Sequence, residues 1–144
     1  MQRIFEELAL LAVINPQTVA NTNITSGWVD ASLYHELAAQ LSLGDMASET
    51  IDFKIEQATS SGGAGAKTLK ASTQLAANAS NNDNKQLQIA VTTDKLDSAN
   101  GFKFVRLNAV TGGATGGPAS GSLWGRPRFR PAAQAATVLE TAYL

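Results

Sequence analysis

The chain has 144 residues, enough for one domain with a real core. Its apolar fraction of 44% is ordinary, but only 16% of its residues are charged, against about 25% in an average soluble domain. A net charge of -1 gives no global attraction to nucleic acid or anionic membrane, and with no cysteine there is no disulfide, thiolate metal site or cysteine nucleophile.

Taken in chain order, Ile4, Phe5, Leu8, Leu11 and Ala12 recur at helical spacing up to Asn15-Pro16. Leu10 to Ile14 also reads as a strand, so residues 1–25 are expected to be either a short helix or an extended arm. The apolar run Leu8 to Ile14 is far short of the roughly 20 residues needed to span a bilayer. It follows Glu6 and Glu7 and not a basic segment, so neither a targeting leader nor membrane insertion is expected.

Gly27-Trp28-Val29-Asp30 opens the main domain, which is expected over residues 26–131. Leu37, Ala39, Leu41 and Leu43 alternate with Glu36, Ala38, Gln40 and Ser42, which is the period of a strand, and Gly44-Asp45 ends it. Ile51, Phe53 and Ile55 alternate with Asp52, Lys54 and Glu56, predicting a strand whose charged side is wet. A glycine loop from Ser60 to Ala66 leads to a weaker strand within Lys67 to Leu75. Asn78 to Asn84 reads as a turn.

Leu87, Ile89 and Val91 mark a further strand, and Asp94 to Gly101 a turn. In the strand Phe102 to Thr111, Phe102 and Phe104 share one face, while Val105, Leu107 and Ala109 share the other. Either both faces are covered or a bulge near Phe104-Val105 switches the register. Gly112 to Pro118 reads as irregular, Ser120 to Arg126 as the last strand, and residues 132–144 as a C-terminal arm. Seven or eight short strands without a long central helix predict an all-β fold, an antiparallel β-sandwich of jelly-roll type.

The chain offers little for catalysis. Its single histidine, His35, has no Gly-x-Ser-x-Gly elbow to serve, and one His without Cys removes the common zinc and iron ligand sets. Gly65-Ala66-Lys67-Thr68 fails as a phosphate loop because Ser61 and Ala66 stand where glycine is required. Asp52 and Glu56 share a strand face roughly 13 Å apart, too far to share a proton. No catalytic residue, cofactor or metal is therefore expected. The remaining cluster is Trp124-Gly125-Arg126-Pro127-Arg128-Phe129-Arg130-Pro131, whose alternating arginines suit carboxylates across a subunit interface. Trp124, Arg126, Arg128, Phe129 and Arg130, with Tyr143 and Leu144 of the apolar tail, are the candidate subunit contacts. Nucleic acid is the competing reading of the cluster, and the rest of the chain supplies no basic surface for it.

Ser26-Gly27-Trp28-Val29-Asp30, Gly44-Asp45, Thr50 to Thr59, Asn84-Lys85-Gln86, Leu96-Asp97, Gly101 to Leu107 and Gly125 to Pro131 form an ordered pattern. That pattern resembles small proteins encoded among the head genes of tailed bacteriophages and prophages. The resemblance implies a virion structural protein, such as a capsid decoration (cement) or turret protein, and it transfers no site residues. Its implied partners are further copies of itself, with a trimer expected first, and the major capsid protein. A head-tail connector, a tail component and a carbohydrate-binding jelly roll are the alternatives.

Overall fold

A computed structural model describes residues 4–46, 49–76, 83–129 and 132–142. Of the expected turn from Asn78 to Asn84, only Asp83 and Asn84 lie within the described residues. Asn84 has φ of 55°, the left-handed geometry that short polar side chains tolerate.

After a single helical turn, α1 (Ile4–Glu7), the chain is built from strands. These are β1 (Ala9–Val19), β2 (Thr22–Thr25), β3 (Val29–Asp30), β4 (Tyr34–Leu43), β5 (Thr50–Ala58), β6 (Lys67–Ala71), β7 (Gln86–Thr92), β8 (Phe104–Gly112) and β9 (Gly117–Pro127). Every pairing is antiparallel. One sheet has the order β1-β9-β4-β7, and the other the order β2-β8-β5-β6, with β3 continuing the β2 edge along β8.

The pairing is nested. β1 lies on β9, β2 and β3 on β8, β4 on β7, and β5 on β6, so the chain is one long hairpin folded over on itself. With β2 and β3 counted as one interrupted strand, this gives the eight strands of a jelly roll. The fold class read from the alternation of apolar residues is the one observed.

The alternation also fills the core. Leu37, Leu41, Ile51, Phe53, Ile55, Leu107 and Leu123 are all at most 1% exposed and meet between the sheets. Each such side chain contributes about 1.5–3 kcal/mol through burial. β9 approaches its neighbours closely because Gly121 and Gly125 occupy core-side positions, and a Cβ at Gly125 would lie 2.6 Å from the Tyr34 ring.

Two boundaries differ from expectation, and one open alternative is decided. Residues 9–25 are not an arm outside the sandwich. α1 stops after four residues, and β1 and β2 follow it as full members of the two sheets, because Ala9, Leu11, Ala12, Ile14, Val19 and Ile24 all have core to enter. β9 begins at Gly117 and not at Ser120, since Gly117, Pro118 and Ala119 pair with Val19, Thr18 and Gln17. No bulge interrupts β8 against β5, whose register runs unbroken from Thr50 opposite Gly112 to Ala58 opposite Phe104. The core face of β8 is buried, and its other face is partly covered, with Asn108 buried and Phe104, Arg106 and Val110 half-buried.

Residues 132–142 contain no helix or strand but are tied to residues 5–10. Ala132 N–H donates to Glu6 O at 3.0 Å, and Ala135 N–H to Leu10 O at 3.0 Å. Gln134 clamps the same place: Leu10 N–H donates to its Oε1 at 2.8 Å, while its Nε2 donates to Phe5 O at 2.9 Å and Leu8 O at 3.0 Å.

Candidate interaction surface

The outer face of the β1-β9-β4-β7 sheet is a continuous surface built by adjacent long strands. Its positions follow from the period of two and the registers. Ala38, Gln40 and Ser42 of β4 stand between Trp124, Ser122 and Ser120 of β9 on one side and Ala90, Gln88 and Gln86 of β7 on the other. None of these nine side chains is charged. Gln40 Nε2 donates to Gln86 Oε1 at 2.7 Å, and Gln88 Nε2 donates to Gln40 Oε1 at 3.2 Å, so the amides satisfy one another across β4 and β7. Small and amide side chains cost less to remove from water than ions do, which suits this face to protein contact.

Charge appears only at one end of this face, where Glu36 stands opposite Arg126. α1 lies over that end. Ile4, Glu7 and Leu8 border a hollow floored by Ala38, Glu36 and Arg126, and the Phe5 ring stacks on Trp124 with centroids 6.3 Å apart and planes 28° from parallel. Trp124 Nε1–H donates to Ser122 Oγ at 3.0 Å. Of the expected contact residues, Trp124 and Arg126 therefore sit on one face.

Arg128 does not continue that row. It lies beyond the end of β9, and its own chain uses its guanidinium. Nε donates to Ser32 O at 3.0 Å, Nη2 donates to Thr93 Oγ1 at 3.2 Å, and Nη1 lies 3.3 Å from His35 Nδ1. Thr93 in turn donates to Tyr34 O at 2.7 Å. The backbone N–H of Arg128 donates to Leu33 O at 2.8 Å, which sets two exposed apolar residues, Leu33 (59%) and Phe129 (76%), at the same end of the sandwich. Arg130, Tyr143 and Leu144 lie outside the described residues.

The outer face of the second sheet is different in kind. Glu56, expected to be wet, is 7% exposed. Arg106 Nε donates to its Oε2 at 2.8 Å, and Lys54 Nζ lies 3.1 Å from its Oε1. Burial acts to raise the Glu56 carboxyl, but hydrogen bonds from Arg106, Lys54 and Asn108 outweigh it and hold the group below the ordinary carboxylate range. The Arg106 guanidinium also lies 4.6 Å from the Trp28 ring, and the glycine loop after β5 closes over that ring. At Gly63, with φ of 84°, a Cβ would meet Trp28 Nε1 at 2.6 Å. This loop is a tight strand connection packed on an indole. At its edge Lys67 pairs with Asp97 and lies 4.1 Å from the Phe102 ring.

Sequence reasoning named Trp124 and Arg126, which share this face, but not the Phe5 ring over Trp124, the Gln134 clamp or the burial of Glu56. The uncharged face could have been assembled from the even-numbered positions of β4, β7 and β9 had their adjacency been known. Among the described residues no group of three or more His, Asp or Glu side chains gathers to hold a metal ion.

No family model and no curated protein matches the chain. Among solved structures it is similar to the disulfide-linked pili of Bacillus endospore appendages, with a TM-score of 0.43 and 12% identity over 84% of this chain and 89% of that one. It is similar to the Gt strain of infectious bursal disease virus at TM-score 0.45 and 11% identity, over 83% of this chain and 33% of that one. A further similarity is to the tripod (BppUct-A-L) from the baseplate of bacteriophage Tuc2009, at TM-score 0.34 and 12% identity over 85% of this chain and 49% of that one. This chain thus spans about a third of the bursal disease virus chain and half of the tripod chain.

Proposed function

We propose that the chain is a non-enzymatic structural protein of a virus particle, a capsid decoration protein of a tailed bacteriophage that associates with itself and lies on the shell of the major capsid protein. The observation that carries this reading is the outer face of the β1-β9-β4-β7 sheet. Over nine adjacent positions three strands there present Ala, Ser, Gln and Trp, with charge confined to the Glu36–Arg126 pair at one end, and Gln134 of the C-terminal segment is tied to Leu10 of β1. Such a face can be covered by another protein without stranding a buried charge. The likeness of the sequence to phage head-gene products supplies the particle, and the geometry supplies the adhesive side.

The carbohydrate-binding alternative needs open aromatic rings on which a sugar could stack. Trp124 is stacked by Phe5 and Trp28 lies against Arg106, which leaves that reading with less support.

The test is reconstitution. Purified chain added to expanded phage shells that lack it should add ordered density on the outer surface by cryo-electron microscopy and raise the temperature at which the shells open. A chain that stays monomeric at millimolar concentration and leaves such shells bare would overturn the proposal. Density at a portal vertex alone would replace it with a connector role.

A further inference from the structure

The edge of a sheet presents a row of unpaired backbone groups, and proteins protect it with short strands, charges, proline, bulges or a covering segment. Three of the four edges here carry such devices. β1 has two register shifts and Pro16, and the C-terminal segment occupies the N–H and C=O of Leu10. The β2 and β3 edge is broken into strands of four and two residues. β6 is five residues long and carries Lys67 and Lys70.

Among the described residues β7 has none of these. Its seven residues, Gln-Leu-Gln-Ile-Ala-Val-Thr, include no charge, proline or glycine, and its register on β4 is unbroken. Leu43 N–H donates to Lys85 O, so the alternation of an antiparallel ladder turns the backbone groups of Leu87, Ile89 and Val91 toward β4. Those of Gln86, Gln88, Ala90 and Thr92 face outward, and no described strand pairs with them. Beside this edge is an open hollow bordered by Leu69 and Val91, with Glu36, Lys70 and Lys95 at its rim.

We infer that β7 pairs antiparallel with β7 of a second copy, about a two-fold axis through Ile89, and so joins two four-stranded sheets into one. The strand is complementary to itself in this register. Gln86 faces Thr92 and Gln88 faces Ala90, so outward backbone groups meet outward backbone groups and uncharged side chains meet on the outer face. Leu87 faces the partner's Val91 on the core side, next to the hollow that Val91 and Leu69 border. The flanking charges are balanced: Asp83 and Lys85 precede the strand, and Asp94 with its partner Lys95 at 3.2 Å follows it, so antiparallel pairing brings no excess of like charge together. An isologous contact of this kind joins two protomers or two rings of protomers.

This inference rests on the self-association part of the proposed function and names the edge and register for it. Because the chain contains no cysteine, directed cross-linking starts from a blank background. Gln88→Cys chain mixed with Ala90→Cys chain and oxidised should give a covalent heterodimer. Either variant alone should not, because equivalent positions lie beyond the roughly 7 Å reach of a disulfide. Gln88→Pro removes an outward N–H without touching the β4 ladder, and should weaken association at least tenfold in sedimentation velocity. If the unmodified chain sediments as an oligomer while the mixed variants do not cross-link, the β7 contact is overturned and self-association stands. A chain that is monomeric throughout overturns both.

Discussion

Arg106 Nε donates to Glu56 Oε2 at 2.8 Å across neighbouring strands, and Glu56 is only 7% exposed. Removing one member of such a pair strands the other, which costs more than removing both. Arg106→Met should therefore lower unfolding free energy by about 2–3 kcal/mol, with Lys54 giving partial compensation. Arg106→Met/Glu56→Met should recover at least half of that loss. Urea denaturation followed by circular dichroism measures both, and equal loss in the single and double variants would contradict the account.

The same carboxylate sets a pH dependence. Its folded value lies below the ordinary 4.5, so its contribution is present above that pH and is lost as pH falls through the folded value. In Glu56→Gln the neutral side chain removes this contribution. The stability gap between the two proteins should be widest near neutral pH and narrow steadily below pH 4.5. A gap independent of pH would show that the lost interaction is not ionic.

Gln134 holds both ends of the chain with one side chain. Gln134→Ala withdraws one acceptor and two donors, and should cost about 1–2 kcal/mol. The sharper readout is local: amide exchange should quicken at Leu10 and Ala135 while Leu37 and Leu107 keep their protection. Uniform quickening would mean that these ends open only with the whole fold.

Gly116 has φ of 73°, and a Cβ there would lie 2.3 Å from Val19 O. Its N–H donates to Glu49 Oε1 at 2.7 Å, and Thr115 N–H to the same oxygen at 3.0 Å, so the loop cannot easily shift aside. Gly116→Ala should lose about 2–3 kcal/mol or more, combining strain with the clash. Gly27→Ala, where nothing lies within 4 Å, serves as the control and should change stability by less than about 1 kcal/mol. Comparable losses at the two sites would refute the steric argument.

These residues show which parts of the molecule could be read in advance. The alternations in β4, β5 and β7 are local, so a period of two placed their core residues correctly. Glu56 looked like a wet residue for the same reason, because its burial depends on Arg106, fifty positions away in the chain. Phe102 and Phe104 suggested a bulge because the pattern says nothing of what covers an outer face, here Lys67 over Phe102 and Lys103 5.4 Å from the Phe104 ring. The start of the chain was ambiguous because both readings occur, one after the other. Tertiary pairing, and with it the uncharged face, has no local signature.

The nested pairing also constrains synthesis. Among the described strands β5 and β6 are the one pair adjacent in sequence that also pair in a sheet, and each later pair spans a longer stretch than the one inside it. β9 lies between β1 and β4, so one sheet has a gap at its centre until residue 127 has left the ribosome. Such high contact order makes folding slow and largely post-translational. Until β9 arrives, unfinished sheets with open edges can meet wrong partners. Hosts that raise chaperone levels should therefore increase its yield without changing its final stability.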